Sequence, residues 1–355
     1  MELTMKLFKK FTTATSACVL VLGSTAAAFA EGELNILTWE GYADESFIAP
    51  FTKATGCRVN ATYVGSNDDF APKLAAGGGV YDLISPSIDA TTALIEAGFL
   101  APIDMDRITE WDNIYEKFRT AEAFSHEGDL YAVPFAWGAI AFMYRNDQFE
   151  TPPTSLRDLW SAENAGLISL WDDKSSIYVA SRMIGNTDIY KLSDEELAAA
   201  QAALIEQKPL VRKYWATAGE LVDLYVSGEV AISNTWAGYQ SSLIAAEGIE
   251  VTEFIPEEGA EGWIDSFLLV KDSPNEECAY QFLNMMVSEQ GQCGVANVNG
   301  YSVANPVAAR NCMTPEQFTS LHQDDLAYLD NLLLWENLGD RIGAYTDAWN
   351  AVKSQ

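Results

Sequence analysis

The chain has 355 residues, of which 51 are acidic and 21 basic, giving a formal net charge of −30. That balance excludes nucleic-acid binding through phosphate contacts, and the length is enough for two domains. Solubility accounts for most of such a charge, and attraction of small cations is the functional alternative.

Lys6, Lys9 and Lys10 precede an apolar stretch over residues 11–22, and Ala28-Phe29-Ala30 supplies a small-x-small cleavage site. This is the layout of a secretory signal over residues 1–30, so the mature chain is expected to be exported and to begin near Glu31. The apolar run is shorter than a membrane-spanning helix requires. Cys18 lacks an aliphatic residue three positions earlier, which argues against a lipid anchor.

Beyond it, short apolar runs alternate with amphipathic stretches. Residues 34–39 read as a strand, 45–55 as a helix closed by Gly56, 59–64 as a strand, and 68–76 as a helix. Residues 81–85 read as a third strand and 90–97 as a helix closed by Gly98. The triplet Gly77-Gly78-Gly79 follows a helix, so it reads as a helix stop rather than a phosphate loop. Residues 132–135 look like a crossing strand. Strands are then expected at 166–171, 229–235, 251–255 and 266–270, and helices at 177–184, 194–207, 219–227, 275–287 and through 324–353. Successive βα units predict an α/β fold.

Four cysteines follow the signal: Cys57, Cys278, Cys293 and Cys312. No C-x-x-C occurs, which excludes a zinc ribbon. Cys293 and Cys312 would close a short loop and are the favoured pair. Cys57 and Cys278 stay open between a disulfide and two buried thiols.

Little here supports catalysis. His126 and His322 lie far apart in polar surroundings, and no hydrolase, zincin or calcium-loop motif occurs. Asp172 and Asp173 follow a strand, but neighbours in extended chain point to opposite sides. No enzyme, metal or cofactor is expected. The tryptophans carry more. Trp39, Trp137, Trp171, Trp236 and Trp263 each sit at or just past the end of a strand-like run, and open α/β sheets bind ligands outside those ends. Indole faces attract ammonium groups. Alternation in a strand puts Trp263 and Asp265 on one face.

At these residues the sequence resembles the periplasmic polyamine-binding proteins of ABC importers, the spermidine and putrescine receptors. The likeness runs through Leu37-Thr38-Trp39-Glu40-Gly41-Tyr42, Tyr81-Asp82-Leu83-Ile84-Ser85-Pro86-Ser87 and Val133-Pro134-Phe135-Ala136-Trp137-Gly138. It continues through Trp236-Ala237-Gly238, Gly262-Trp263-Ile264-Asp265-Ser266 and Gly300-Tyr301. It implies a two-lobe periplasmic-binding-protein fold of type II with the ligand cleft between lobes joined by crossing strands. Lobe 1 would hold residues 31–136 and 265–308, and lobe 2 residues 137–264 and 309–355. It also implies a monomeric periplasmic receptor that delivers a small cationic amine to a permease in the inner membrane.

Matched to the family's cleft, the expected ligand residues are Trp39, Tyr42, Ser87, Asp173, Trp236, Trp263, Asp265 and Tyr301. Asp89 and Glu336 are carboxylates where the family often has none. Conversely, Gly41, Ser176 and Tyr239 stand where the family carries carboxylates. The anionic positions have been moved or reduced, so the ligand is a polyamine in a new pose or a compound with a single amine. A γ-amino acid would need a donor for its carboxylate, and Arg182 is a candidate. An amino acid, betaine or sugar is the rival ligand class, and a secreted hydrolase the rival function.

Overall fold

A computed structural model describes residues 32–77 and 80–355. The expected signal segment and the last two glycines of the triplet lie outside the described residues. The first half contributes strands β1 (Gly32–Thr38), β2 (Cys57–Tyr63), β3 (Leu83–Ile84), β4 (Ser125–His126), β5 (Asp129–Leu130) and β6 (Ala132–Arg145). The second contributes β7 (Ile168–Trp171), β8 (Val211–Trp215), β9 (Ile232–Trp236), β10 (Val251–Phe254), β11 (Glu261–Leu269), β12 (Ser302–Val303) and β13 (Leu333–Leu334). Strands β4 and β5 pair only with each other. The rest form one sheet with the order β2-β1-β3-β11-β6-β9-β7-β8, while β10 and β12 add to β6 and β13 adds to β11.

Two groups of parallel strands therefore flank an antiparallel pair. Strands β2, β1 and β3 run parallel, as do β9, β7 and β8. Between them β6 and β11 pair antiparallel with each other and with their outer neighbours. Helices cover the parallel groups, as βα connections require.

Local signals set the helix ends. Asp44 accepts from Ser46 N at 2.9 Å to start the helix Glu45–Thr55, and Gly56 closes it with a φ of 80°. Ser193 and Glu196 form a capping box at the start of Asp194–Gln207. The triplet's first residue ends the helix Phe70–Gly77.

The crossing strands extend well beyond the sequence reading. The expected 132–135 segment becomes 14 residues in β6, nearly all buried. Pro134 and Gly138 look like breaks, yet the whole run is apolar and packs on both faces, as central strands do. Gly138 is required by a close approach: a Cβ there would lie 2.7 Å from Cζ2 of Trp263. Opposite Asp265 and Ser266 the register slips past Phe135. This bulge re-aims the strand beside Asp265, and the Phe135 carbonyl instead accepts from Ala304 N at 3.0 Å and Gln292 Nε2 at 3.0 Å. The helix Glu289–Asn299 is also absent from the sequence reading. Its two internal glycines argue against a helix, but Gly294 lets Phe47 lie within 2.4 Å of where a Cβ would stand.

Both disulfides form. Cys57–Cys278 ties the start of β2 to the helix Glu276–Val287, and Cys293–Cys312 closes a loop with a separation of 19 residues. Replacing Cys293 and Cys312 by serine is expected to cost about 3 kcal/mol, the loop-closure value for this length. Urea melts of the oxidised protein check it; an unchanged midpoint would show that the crosslink constrains nothing.

Candidate functional site

Several segments converge at the centre of the sheet. Beyond β1, the chain turns through Trp39 to Tyr42. Beyond β3 it reaches Ser87, and Trp171 and Trp236 are the last residues of β7 and β9. Strand β11 contributes Trp263 and Asp265, and Ile140 comes from β6. Tyr301 precedes β12 and Trp335 follows β13. These ten residues line one cavity of about 20 Å³, little more than the space one water needs.

Its walls are aromatic. Trp39, Trp171 and Trp236 meet edge to face, with ring centres 5.4–6.1 Å apart. Trp215 stacks behind Trp171 at 5.5 Å, and Trp335 stacks on it at 6.1 Å. On the other side Tyr301 meets Trp263 at 4.8 Å and Tyr42 at 5.9 Å. Backbone hydrogen bonds fix two of the indoles: Trp39 Nε1 donates to Ser85 O and Trp171 Nε1 to Gly65 O, each at 2.8 Å. Rings held this way present their faces and edges without paying further ordering entropy on binding.

One charge stands among them. Tyr42 Oη donates to Asp265 Oδ2 at 2.6 Å and Ser87 Oγ to Oδ1 at 2.5 Å. Burial pushes the Asp265 carboxyl up to about 7, against the pull of those two hydrogen bonds. Burial, with Asp265 beside it, likewise holds the Tyr42 hydroxyl well above its ordinary range. A cation placed here would meet an unneutralised carboxylate and several ring faces, each worth roughly 0.5–2 kcal/mol to a desolvated ammonium.

A family model described as bacterial extracellular solute-binding protein matches residues 46–322. The chain belongs to that family. The solute-binding protein is 28% identical over 349 residues to the spermidine/putrescine-binding periplasmic protein of Salmonella typhimurium, covering 96% of this chain and 97% of the relative. It is 27% identical to the putrescine-binding periplasmic protein PotF of Escherichia coli, covering 98% of both chains. Among solved structures, a putative spermidine/putrescine ABC transporter from Listeria monocytogenes superposes with a TM-score of 0.82 at 23% identity, covering 90% of this chain and 98% of that one. The two-lobe fold expected from the sequence is thus the fold of this solute-binding protein.

The structure brings Trp39, Tyr42, Ser87, Trp236, Trp263, Asp265 and Tyr301 together on the cavity wall. Three other expected residues lie elsewhere. Asp173 accepts from Ser66 Oγ at 2.5 Å and Ser175 N at 2.7 Å, and Asp89 accepts from Asn67 Nδ2 at 2.8 Å. Both belong to a cluster around Lys174, next to the cavity rather than on it. Glu336 does not reach it at all: its carboxylate is exposed and pairs with Lys191 at 3.0 Å, and its neighbour Trp335 takes the wall position. Trp137 sits in the core, its Nε1 donating to Val303 O at 3.2 Å. Arg182 is buried against Glu261, 3.2 Å away. Trp335 and Ile140 are wall residues that sequence reasoning did not single out. The two-residue strand before Trp335 gives too little alternation to read. Among the described residues, no group of His, Cys, Asp and Glu is placed to hold a metal ion.

Proposed function

We propose that this solute-binding protein is the periplasmic receptor of an ABC importer and captures a small cationic amine against Asp265. The observation that carries this reading is a buried carboxylate, oriented by Tyr42 and Ser87, in a wall that includes five tryptophans. The relatives named for spermidine and putrescine support the same class. A sugar would stack on the indoles equally well but offers no charge to Asp265, which burial leaves costly to ionise. Export follows from the signal layout over residues 1–30, and delivery to a membrane permease from the family role.

The lobes would divide as the sequence suggests, with 31–136 and 265–308 in one and 137–264 and 309–355 in the other. Supporting this, β6 and β11 cross between the two parallel groups. Between the groups lie Trp171 Nε1 to Gly65 O, Ser66 Oγ to Asp173, and Gly219 N to Glu40 Oε2 at 3.2 Å. Solute enters when these contacts part, and its own contacts with both sides then favour closure.

A thermal-shift panel of putrescine, spermidine, γ-aminobutyrate, glycine betaine and glucose tests the class. An amine is expected to raise the melting temperature, and a rise with glucose alone overturns the reading. Binding should also follow the ionisation of Asp265. An ammonium binds the carboxylate form, so affinity is expected to be flat above pH 7 and to fall roughly tenfold per unit below it. Calorimetric titration at pH 6 and pH 8 reads this directly.

A further inference from the structure

Beside the cavity, Lys174 lies buried with its ammonium 2.7 Å from Asp68 Oδ1 and 3.9 Å from Asp89 Oδ2. Burial works to lower its pKa, but Asp173, Asp89 and Asp68 more than offset this and hold it above the ordinary lysine range. Each carboxylate oxygen of this cluster already has a partner. Asp68 Oδ2 accepts from Thr346 Oγ1 at 3.3 Å, and Asn67, Ser66 and Ser175 complete the others. The cluster adjoins the cavity along the chain, with Asp89 two residues past Ser87 and Asp173 two past Trp171, but Asp68, Asp89 and Lys174 line a separate cavity of about 330 Å³.

We infer that Lys174 is a built-in ammonium that occupies Asp68 and Asp89 in place of a solute cation, so that the cavity selects a solute with one cationic amine and a hydrogen-bond acceptor over a diamine. This rests on the amine reading above and narrows it. Asp265 is the only charged residue on the cavity wall among the described residues, so it can match one cation. A second ammonium would be buried among indoles and Ile140 without a counter-charge. The acceptor follows from a separate observation. The indole N–H groups of Trp263 and Trp335, both wall residues, are buried and have no partner among the described residues. Buried donors of this kind are satisfied when something binds that can accept from them.

Three four-carbon probes separate the alternatives: n-butylamine has one cation, putrescine has two, and γ-aminobutyrate has one cation and a carboxylate. Titration of the wild-type protein is expected to rank γ-aminobutyrate above butylamine, and butylamine at least tenfold above putrescine. In Lys174→Met the putrescine-to-butylamine ratio is expected to shift at least tenfold toward putrescine, because Asp68 and Asp89 then lose their cationic partner and can take the second ammonium. Putrescine binding more tightly than butylamine to the wild type would overturn the inference and leave the amine reading standing. Should none of the three bind, both fall. The wild-type ranking decides the matter even where the variant does not fold.

Discussion

Replacing Asp265 by Asn is expected to weaken amine binding at least a hundredfold while making the ligand-free protein more stable above pH 7. Both effects have one cause. The carboxylate is buried against two hydroxyl donors, and burial raises its pKa from 3.8 to about 7. In the unfolded chain the same group ionises near 4. Between those values the native state holds a proton that the unfolded state has released. Stability therefore falls as pH rises from about 4 to 7 and stays low above that window. The three-unit displacement corresponds to a penalty on the order of 4 kcal/mol at pH 8. Asn removes the charge, keeps the shape and can exchange hydrogen bonds with Tyr42 and Ser87. It also removes the only charged residue on the wall among the described residues. Melting curves of the two proteins without ligand should converge near pH 4 and separate at pH 8, with the Asn form higher. Equal melting temperatures at pH 8 would sink the claim that Asp265 is held at a cost for the sake of its ligand. Stability given up at a binding site in this way is common in proteins selected for function rather than for maximal stability.

How far the sequence displays this site depends on the kind of contact involved. Trp263 and Asp265 are visible because strand alternation alone puts them on one face, and the structure keeps both on the wall. Trp39 and Trp236 are visible as the ends of apolar runs. Strand β11 is less legible, because Glu261 opens it and a charged residue reads as the end of a core strand. Its burial is comprehensible only once Arg182, 79 residues earlier, is placed against it. Asp89 and Asp173 present the converse case. Each looks like an anionic ligand group, and nothing local shows that Lys174 pairs with Asp89 while Ser66 and Ser175 satisfy Asp173. Pairing between distant segments is a tertiary fact that no local periodicity encodes. The same holds for the helix Glu289–Asn299, whose glycines are disfavoured by propensity and justified only by Phe47 and the helix before it.

The second large effect concerns that Arg182–Glu261 pair. Arg182 Nη2 lies 3.2 Å from Glu261 Oε1 and 3.3 Å from Oε2, and both side chains are essentially excluded from solvent. Nε and Nη1 of Arg182 have no partner among the described residues, so the pair is imperfectly satisfied. Burial raises the Glu261 pKa, and Arg182 draws it part of the way back. Arg182→Met leaves that carboxylate bare in the core and is expected to cost ~3–5 kcal/mol of stability. Replacing both residues with methionine removes two charges whose desolvation their attraction barely repays. The double variant is therefore expected to recover most of the loss and to lie within about 1 kcal/mol of the wild type. Urea melts of the two single variants and the double variant check this, and a double variant no better than Arg182→Met overturns it. The same cycle separates two roles for Arg182. Were its guanidinium to hold a carboxylate of the solute, the double variant would lose affinity even when fully folded. Because Arg182 does not line the cavity, and Glu261 only begins the strand that carries Trp263 and Asp265, the folded double variant is expected to bind amine within about threefold of the wild type, less than 1 kcal/mol.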